Sequence, residues 1–161
     1  MLTINGLYEK VKAVNTDKVI DTAFQNSVSD LGEINKVQLF DGKGNDGQNL
    51  TPSYFDDPYF KSRESAQRYS DWKDKITPNP KRQSGTPNLF INGKYYDSRS
   101  VFLRGQNIVY DATFKGIEIE GKYAGKVDGL GGDYKKQFLD ESLRQNFNKE
   151  ISAATGLKFG K

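Results

Sequence analysis

The chain has 161 residues, 35% of them hydrophobic and 28% charged, with a mean hydropathy of -0.77 and a net charge of +3. That length suits one domain with a thin core, in which ten Phe, nine Tyr and one Trp supply much of the buried area. The absence of Cys and His excludes disulfides, thiolate and imidazole catalysis and the usual zinc sites.

In chain order, Leu7, Val11 and Val14 are spaced as one face of a short helix. A second helix is expected after Asn15-Thr16, with Asp17 in its first turn and an apolar stripe of Ile20, Phe24, Val28, Leu31, Ile34 and Val37. Gly42 and Gly44 offer the positive φ that ends it. Residues 41–55 read as a loop, and a third helix is expected from Asp57-Pro58, with Phe55, Tyr59, Ala66, Tyr69, Trp72 and Ile76 on one face. Thr77–Pro87 holds three of the five prolines and reads as an exposed, mobile linker, easily cleaved at Lys81 and Arg82. The whole of 54–87 is read as a mobile insertion in a single domain, 1–161.

Beyond it, Ser100–Arg104 and Asn107–Ala112 are β-prone runs around Gly105-Gln106, a hairpin signal. Gly116–Glu120 alternates as a third strand would, and Gly121–Gly132 is glycine-rich loop. A final amphipathic helix is expected from about Tyr134 to Thr155, with Gly156 as its stop. The predicted fold class is α+β: helices, a three-stranded antiparallel meander, then a helix. Phe24, Leu31, Phe138, Leu143 and Phe147 are the expected core, and truncation of a buried Phe147 would cost about 3–5 kcal/mol.

The chemistry-bearing patterns fail one by one. Read as a calcium loop from Asp41, position three is Lys43 and position twelve is Pro52, so a cation stands where a ligand is needed. GKGNDGQ follows a helix rather than a strand and lacks the lysine-serine pair of a P-loop. The adjacent Asp56-Asp57 point apart, and LGGD before Tyr134 reads as a helix entry. No catalytic, metal or cofactor-binding residue is expected, and a carboxylate-only hydrolase ranks far behind the other readings. No apolar run approaches the ~20 residues that span a bilayer, and MLTINGLYEK lacks the basic and apolar parts of a secretion signal.

Charge is unevenly placed. Residues 1–60 hold five Lys/Arg against nine Asp/Glu, residues 61–104 ten against four, and residues 105–161 nine against eight. An acidic first third and a basic middle suit either head-to-tail contacts between copies or a nucleic-acid face on the basic aromatic segment 59–82.

Taken in order, several segments resemble the phage virion-morphogenesis family of head–tail joining and tail-completion proteins. These are GNDGQNLTP (Gly44–Pro52), LFINGKYYDS (Leu89–Ser98), YAGKVDGLGG (Tyr123–Gly132) and KKQFLDESL (Lys135–Leu143). The resemblance covers roughly residues 16–155 and departs from the family at Asn92-Gly93, where Thr-Gly is commoner, and in the long insertion at Tyr54–Thr86. It implies a non-catalytic α+β protein of the virion, present in the host cytoplasm during assembly. Its implied partners are connector, tail-terminator or tail-tube proteins and further copies in a ring, with non-specific DNA contact left open and no membrane. The expected subunit interface is Tyr59, Arg63, Arg68, Tyr69, Trp72 and Lys73, the cations steering a neighbour's acidic face and the rings holding it.

Overall fold

The computed structural model describes residues 4–114 and 121–158, so the expected strand at 116–120 lies outside the described residues. The described part mixes helix and sheet. In order come α1 (Ile4–Lys12), α2 (Thr16–Phe40), α3 (Arg63–Ile76), α4 (Lys94–Ser98), β1 (Arg99–Arg104), β2 (Asn107–Ala112), α5 (Gly132–Gln137), a π-helical turn (Phe138–Leu143) and α6 (Arg144–Thr155). Among the described residues the sheet has two strands, paired antiparallel from Arg99 opposite Ala112 to Arg104 opposite Asn107, rather than the expected three. The turn between them uses the left-handed backbone of Gly105 (φ +60°).

Helix α2 begins where its cap dictates, since the Asn15 side chain accepts from the Lys18 amide. It ends at Gly42 (φ +71°); the next positive φ belongs to Gly47, not to Gly44 as expected. The expected apolar stripe is buried at Leu31 and half-buried at Phe24, Val28 and Ile34, and it is corrected at its two ends. Ile20 and Val37 are 47% and 49% exposed, while the buried face runs Val19, Ala23, Ser27, Leu31, Asn35 and Gln38-Leu39. The helix turns polar groups inward because a distant loop offers them partners. Asn35 Nδ2 donates to the Val127 and Gly129 carbonyls, Gln38 Nε2 donates to Gly129 O, and Gln38 Oε1 accepts from the Gly131 amide.

That loop and the turn after α2 interlock. The Asn45 amide donates to Lys126 O at 2.9 Å, and Asn45 Nδ2 donates to the carbonyls of Gly125 and Asp128, both at 2.8 Å. Arg99, at the start of β1, is buried across the same knot. Its Nε donates to Asn35 Oδ1 (2.8 Å), Nη1 to the Tyr95 hydroxyl (2.7 Å), and Nη2 to Val127 O (2.6 Å) and Asp128 Oδ1 (2.8 Å). Tyr134 closes the far side by donating to Asp41 Oδ2.

The core correspondingly lies at the C-terminal end of α2. Leu39, Leu50, Tyr95, Tyr96, Ala112, Tyr123 and Val127 cluster there, with Phe40, Leu89 and Phe90 packed on them. Of the expected core, Leu31 and Phe138 are buried, whereas Phe24, Leu143 and Phe147 are half-buried. The π-helical turn carries Phe138 edge-on to Phe24 (6.1 Å between ring centres) and Ser142, whose hydroxyl donates to Asp30 Oδ2 (2.6 Å). Phe138→Ala is therefore the substitution expected to cost about 3–5 kcal/mol. The shift in urea midpoint checks it, with a clearly smaller shift at Phe147→Ala.

Candidate functional site

The third helix starts later than expected. Asp57 is not its cap: one carboxylate oxygen accepts from the Tyr59 amide (3.0 Å) and the other from Lys122 Nζ (2.7 Å). Ser62 caps α3 instead, in a reciprocal capping box with Ser65. The inward face of α3 is Ala66, Ser70 and Lys73, spaced four and three apart, and its small residues admit close approach of the following segment. Ser70 Oγ accepts from the Gly85 amide at 2.9 Å, and Gly85 O accepts from the Tyr54 amide at 2.8 Å.

Thr77–Pro87 is consequently not exposed along its length. Thr77, Arg82, Thr86 and Asn88 are buried. Arg82 pairs with Asp74 and donates to Thr86 O at 2.8 Å, while Asn79 Nδ2 reaches Asp41 Oδ1 at 2.7 Å. The expectation that little could bury Arg82 is corrected by these bonds; Lys81 remains exposed.

Between this segment, residues 54–60 and the chain at Lys122-Tyr123 lies a cleft of about 290 Å³. Rings form its walls. Tyr54 and Tyr69 meet at 4.9 Å between centres, Phe60 and Tyr69 at 5.2 Å, and the ridge continues to Tyr59 (5.4 Å from Phe60) and Trp72 (5.4 Å from Tyr69). Leu89, Phe90 and Ile91 form the opposite wall. Leu89 holds a left-handed backbone (φ +53°), and Asn88 fixes the bend: its side chain accepts from the Phe90 amide and donates to Thr77 Oγ1, while its carbonyl accepts from the Tyr96 hydroxyl at 2.6 Å. A left-handed non-glycine residue is a costly conformation kept by its surroundings.

Lys73 lines the cleft at 1% exposure, and its Nζ donates to the Phe90 carbonyl. None of the ion pairs among the described residues involves it. Burial and then the nearby Arg82 guanidinium pull its pKa down to about 8, against the opposing pull of Asp74. Burial pushes the Tyr54 and Tyr96 hydroxyls up, and burial with the Asp41 hydrogen bond does the same for Tyr134. The unfolded chain thus keeps the Lys73 proton to about pH 10.5 while the folded protein releases it near 8. More protons are bound unfolded across that window, so Lys73 makes stability rise with pH from about 8. Above about pH 10 the tyrosines act oppositely, because the unfolded chain loses their protons first. Urea midpoints are expected to climb between pH 8 and 10 in the wild type and to stay flat in Lys73→Met.

The six residues expected at an interface divide. Tyr59 is 71% and Trp72 44% exposed, and Tyr69 sits half-buried between the cleft and the ridge. Arg63 is exposed over the Phe55 ring (5.6 Å), and Arg68 is paired with Glu64 (2.9 Å). Lys73 cannot steer a neighbour from the surface, since it is buried; this expectation is corrected. The place of Asp57, Lys122 and Tyr123 at the cleft escaped the sequence reading, because the pairing of residue 57 with residue 122 leaves no periodic trace.

No protein-family model, curated protein or solved structure matches the chain. The ridge and its cleft therefore have to be read from their own chemistry. No described helix is long and apolar enough to cross a membrane; Tyr59 and Trp72 are exposed, as are Ile76 and Ile91, 42% and 64% accessible, while Tyr54 is buried and Phe60 and Tyr69 are half-buried.

Proposed function

We propose that the chain is a non-catalytic virion structural protein, acting in phage head–tail joining or tail completion as a subunit of a neck or tail-end ring. The observation that carries the reading is the ridge of Tyr59, Phe60, Tyr69 and Trp72, whose end rings Tyr59 and Trp72 are exposed. Interface energy concentrates in such rings, and a contiguous apolar surface marks a contact to be covered. The segments that carry the family resemblance also support it, because they converge. GNDG is tied to YAGKVDGLGG through Asn45, which donates to the carbonyls of Gly125, Lys126 and Asp128, the tyrosines of LFINGKYYDS hold Arg99 and Asn88, and the helix of KKQFLDESL lies on α2 through Phe138 and Ser142.

The nucleic-acid reading of 59–82 is weakened by where its cations go. Lys73 is buried, Arg82 serves Asp74 and Arg68 serves Glu64, while Lys61, Arg63, Lys75 and Lys81 stay exposed. Sedimentation velocity is expected to give a discrete oligomer that loosens with salt, and a DNA titration at physiological salt no saturable binding. A monomer whose DNA affinity falls linearly with log salt would put the nucleic-acid module in its place.

A further inference from the structure

Asn-Gly occurs twice in the chain, at Asn5-Gly6 and at Asn92-Gly93. An asparagine in this position is open to attack by the next backbone nitrogen, because glycine has no side chain to screen that nitrogen from the carboxamide. The fold treats the two sites differently. Asn5 lies within α1, whose backbone holds ψ near the helical value of about -40°. Closing a ring between its carboxamide and the next nitrogen requires ψ to leave that value, so the helix opposes it. Asn92 is exposed, in the irregular backbone between the left-handed Leu89 and α4.

Three features of the second site suit the reaction. Asn92 Oδ1 accepts from the Lys94 amide at 3.2 Å, which folds the side chain back over the peptide bond to Gly93 and draws electron density from its carbonyl carbon. Nδ2 of Asn92, the group that has to leave, donates to no acceptor among the described residues. In Asn35, Asn45 and Asn79, by contrast, Nδ2 is held by two oxygens each. The Gly93 amide likewise meets no acceptor among the described residues, and its φ of +82° is open to glycine without strain.

We infer that Asn92-Gly93 is a self-modification site, at which the asparagine is converted by water into aspartate and isoaspartate while Asn5 is spared. The Gly93 nitrogen gives its proton to solvent base and attacks Asn92 Cγ. The new C–N bond closes a five-membered succinimide, and the Cγ–Nδ2 bond breaks with release of ammonia. Water then opens the ring. Addition at Cγ restores the original main chain with an aspartate side chain; addition at the Asn92 backbone carbonyl leaves the chain running through Cγ, as isoaspartate. Both products place a new carboxylate next to Ile91 on the wall of the aromatic cleft. The second also lengthens the main chain by a methylene, just where it turns through Gly93 into α4. The inference does not depend on the assembly reading.

Incubation of the full chain at neutral pH and physiological temperature, in water enriched in heavy oxygen, tests this by peptide mass spectrometry. Asn92 is expected to convert first, with heavy oxygen in its product and separate aspartyl and isoaspartyl peaks. In guanidinium chloride, which removes the fold, Asn5 and Asn92 are expected to convert at the same rate. Asn92→Gln is expected to abolish the product at that position, because its ring would need six members. Conversion of Asn5 as fast as Asn92 in the folded chain overturns the inference. So does an Asn92 that stays intact in the folded chain while converting in the unfolded one.

Discussion

Arg99→Ala is expected to lower stability by about 3–5 kcal/mol, the range for removing one member of a buried charged network, and so to drop the melting temperature by about 10 °C or more. The guanidinium is held by Asn35, Tyr95, Val127 and Asp128 and stacks over the rings of Tyr95 and Tyr110 at 5.6 and 5.5 Å. Its loss leaves Asn35 Oδ1 without its donor inside the protein and unties β1 from the loop that α2 grips. Arg99→Lys keeps the charge but cannot present the planar fork in four directions, so it is expected to recover only part of the loss. Asp128→Asn is the contrast. Its side chain is 52% exposed, and an exposed ion pair contributes about 0–1 kcal/mol. Urea unfolding of the three variants checks the ranking, and equal losses at Arg99 and Asp128 would place the strength of the knot in the ion pair alone.

Gly131→Ala is the second large effect. A methyl at Gly131 would stand 2.2 Å from the Gly47 amide nitrogen and 2.4 Å from the Asn45 carbonyl oxygen. Both are backbone atoms, so no rotamer change relieves the overlap, and one of the two interlocked loops has to move. Overpacking of this kind costs about 1–3 kcal/mol and sometimes more; the absence of any side chain that could yield puts this position at the upper end. Gly131 itself has an ordinary extended backbone (φ -120°, ψ 164°), so the cost is steric alone. Gly121→Ala meets nothing within 4 Å and is expected to be near neutral. Thermal melts of the pair separate the two, and a near-neutral Gly131→Ala would mean that the loops do not touch as described.

How much of this was legible depended on where each residue finds its partner. Local chemistry was readable: Asn15 as a cap, Gly42 and Gly156 as stops, and the Gly105-Gln106 turn of the hairpin all act within a few residues of the chain. The buried face of α2 was not, because Ser27, Asn35 and Gln38 are polar by type and buried by virtue of partners about 90 or more residues away. An apolar-periodicity reading passes over such positions and rotates the stripe toward Ile20 and Val37. Lys73 was misplaced for a related reason. Its spacing from Ala66 and Ser70 marks the inward face, yet lysine reads as a surface residue unless that spacing outweighs its charge. The rings of the candidate site were visible as a cluster; the cleft between them was not, since it needs the return of the chain at Asn88 and at Lys122-Tyr123.

Trp72 offers the most direct test of whether the aromatic ridge is a surface made to be covered. It is the only tryptophan in the chain and stands 44% exposed at the end of the ridge, so its fluorescence reports that site alone. Acrylamide quenching is measured on dilute monomer and on the concentrated, assembled chain. Quenching is expected to fall severalfold on assembly. Trp72 equally quenched in monomer and assembly would contradict the ridge as the contact between subunits.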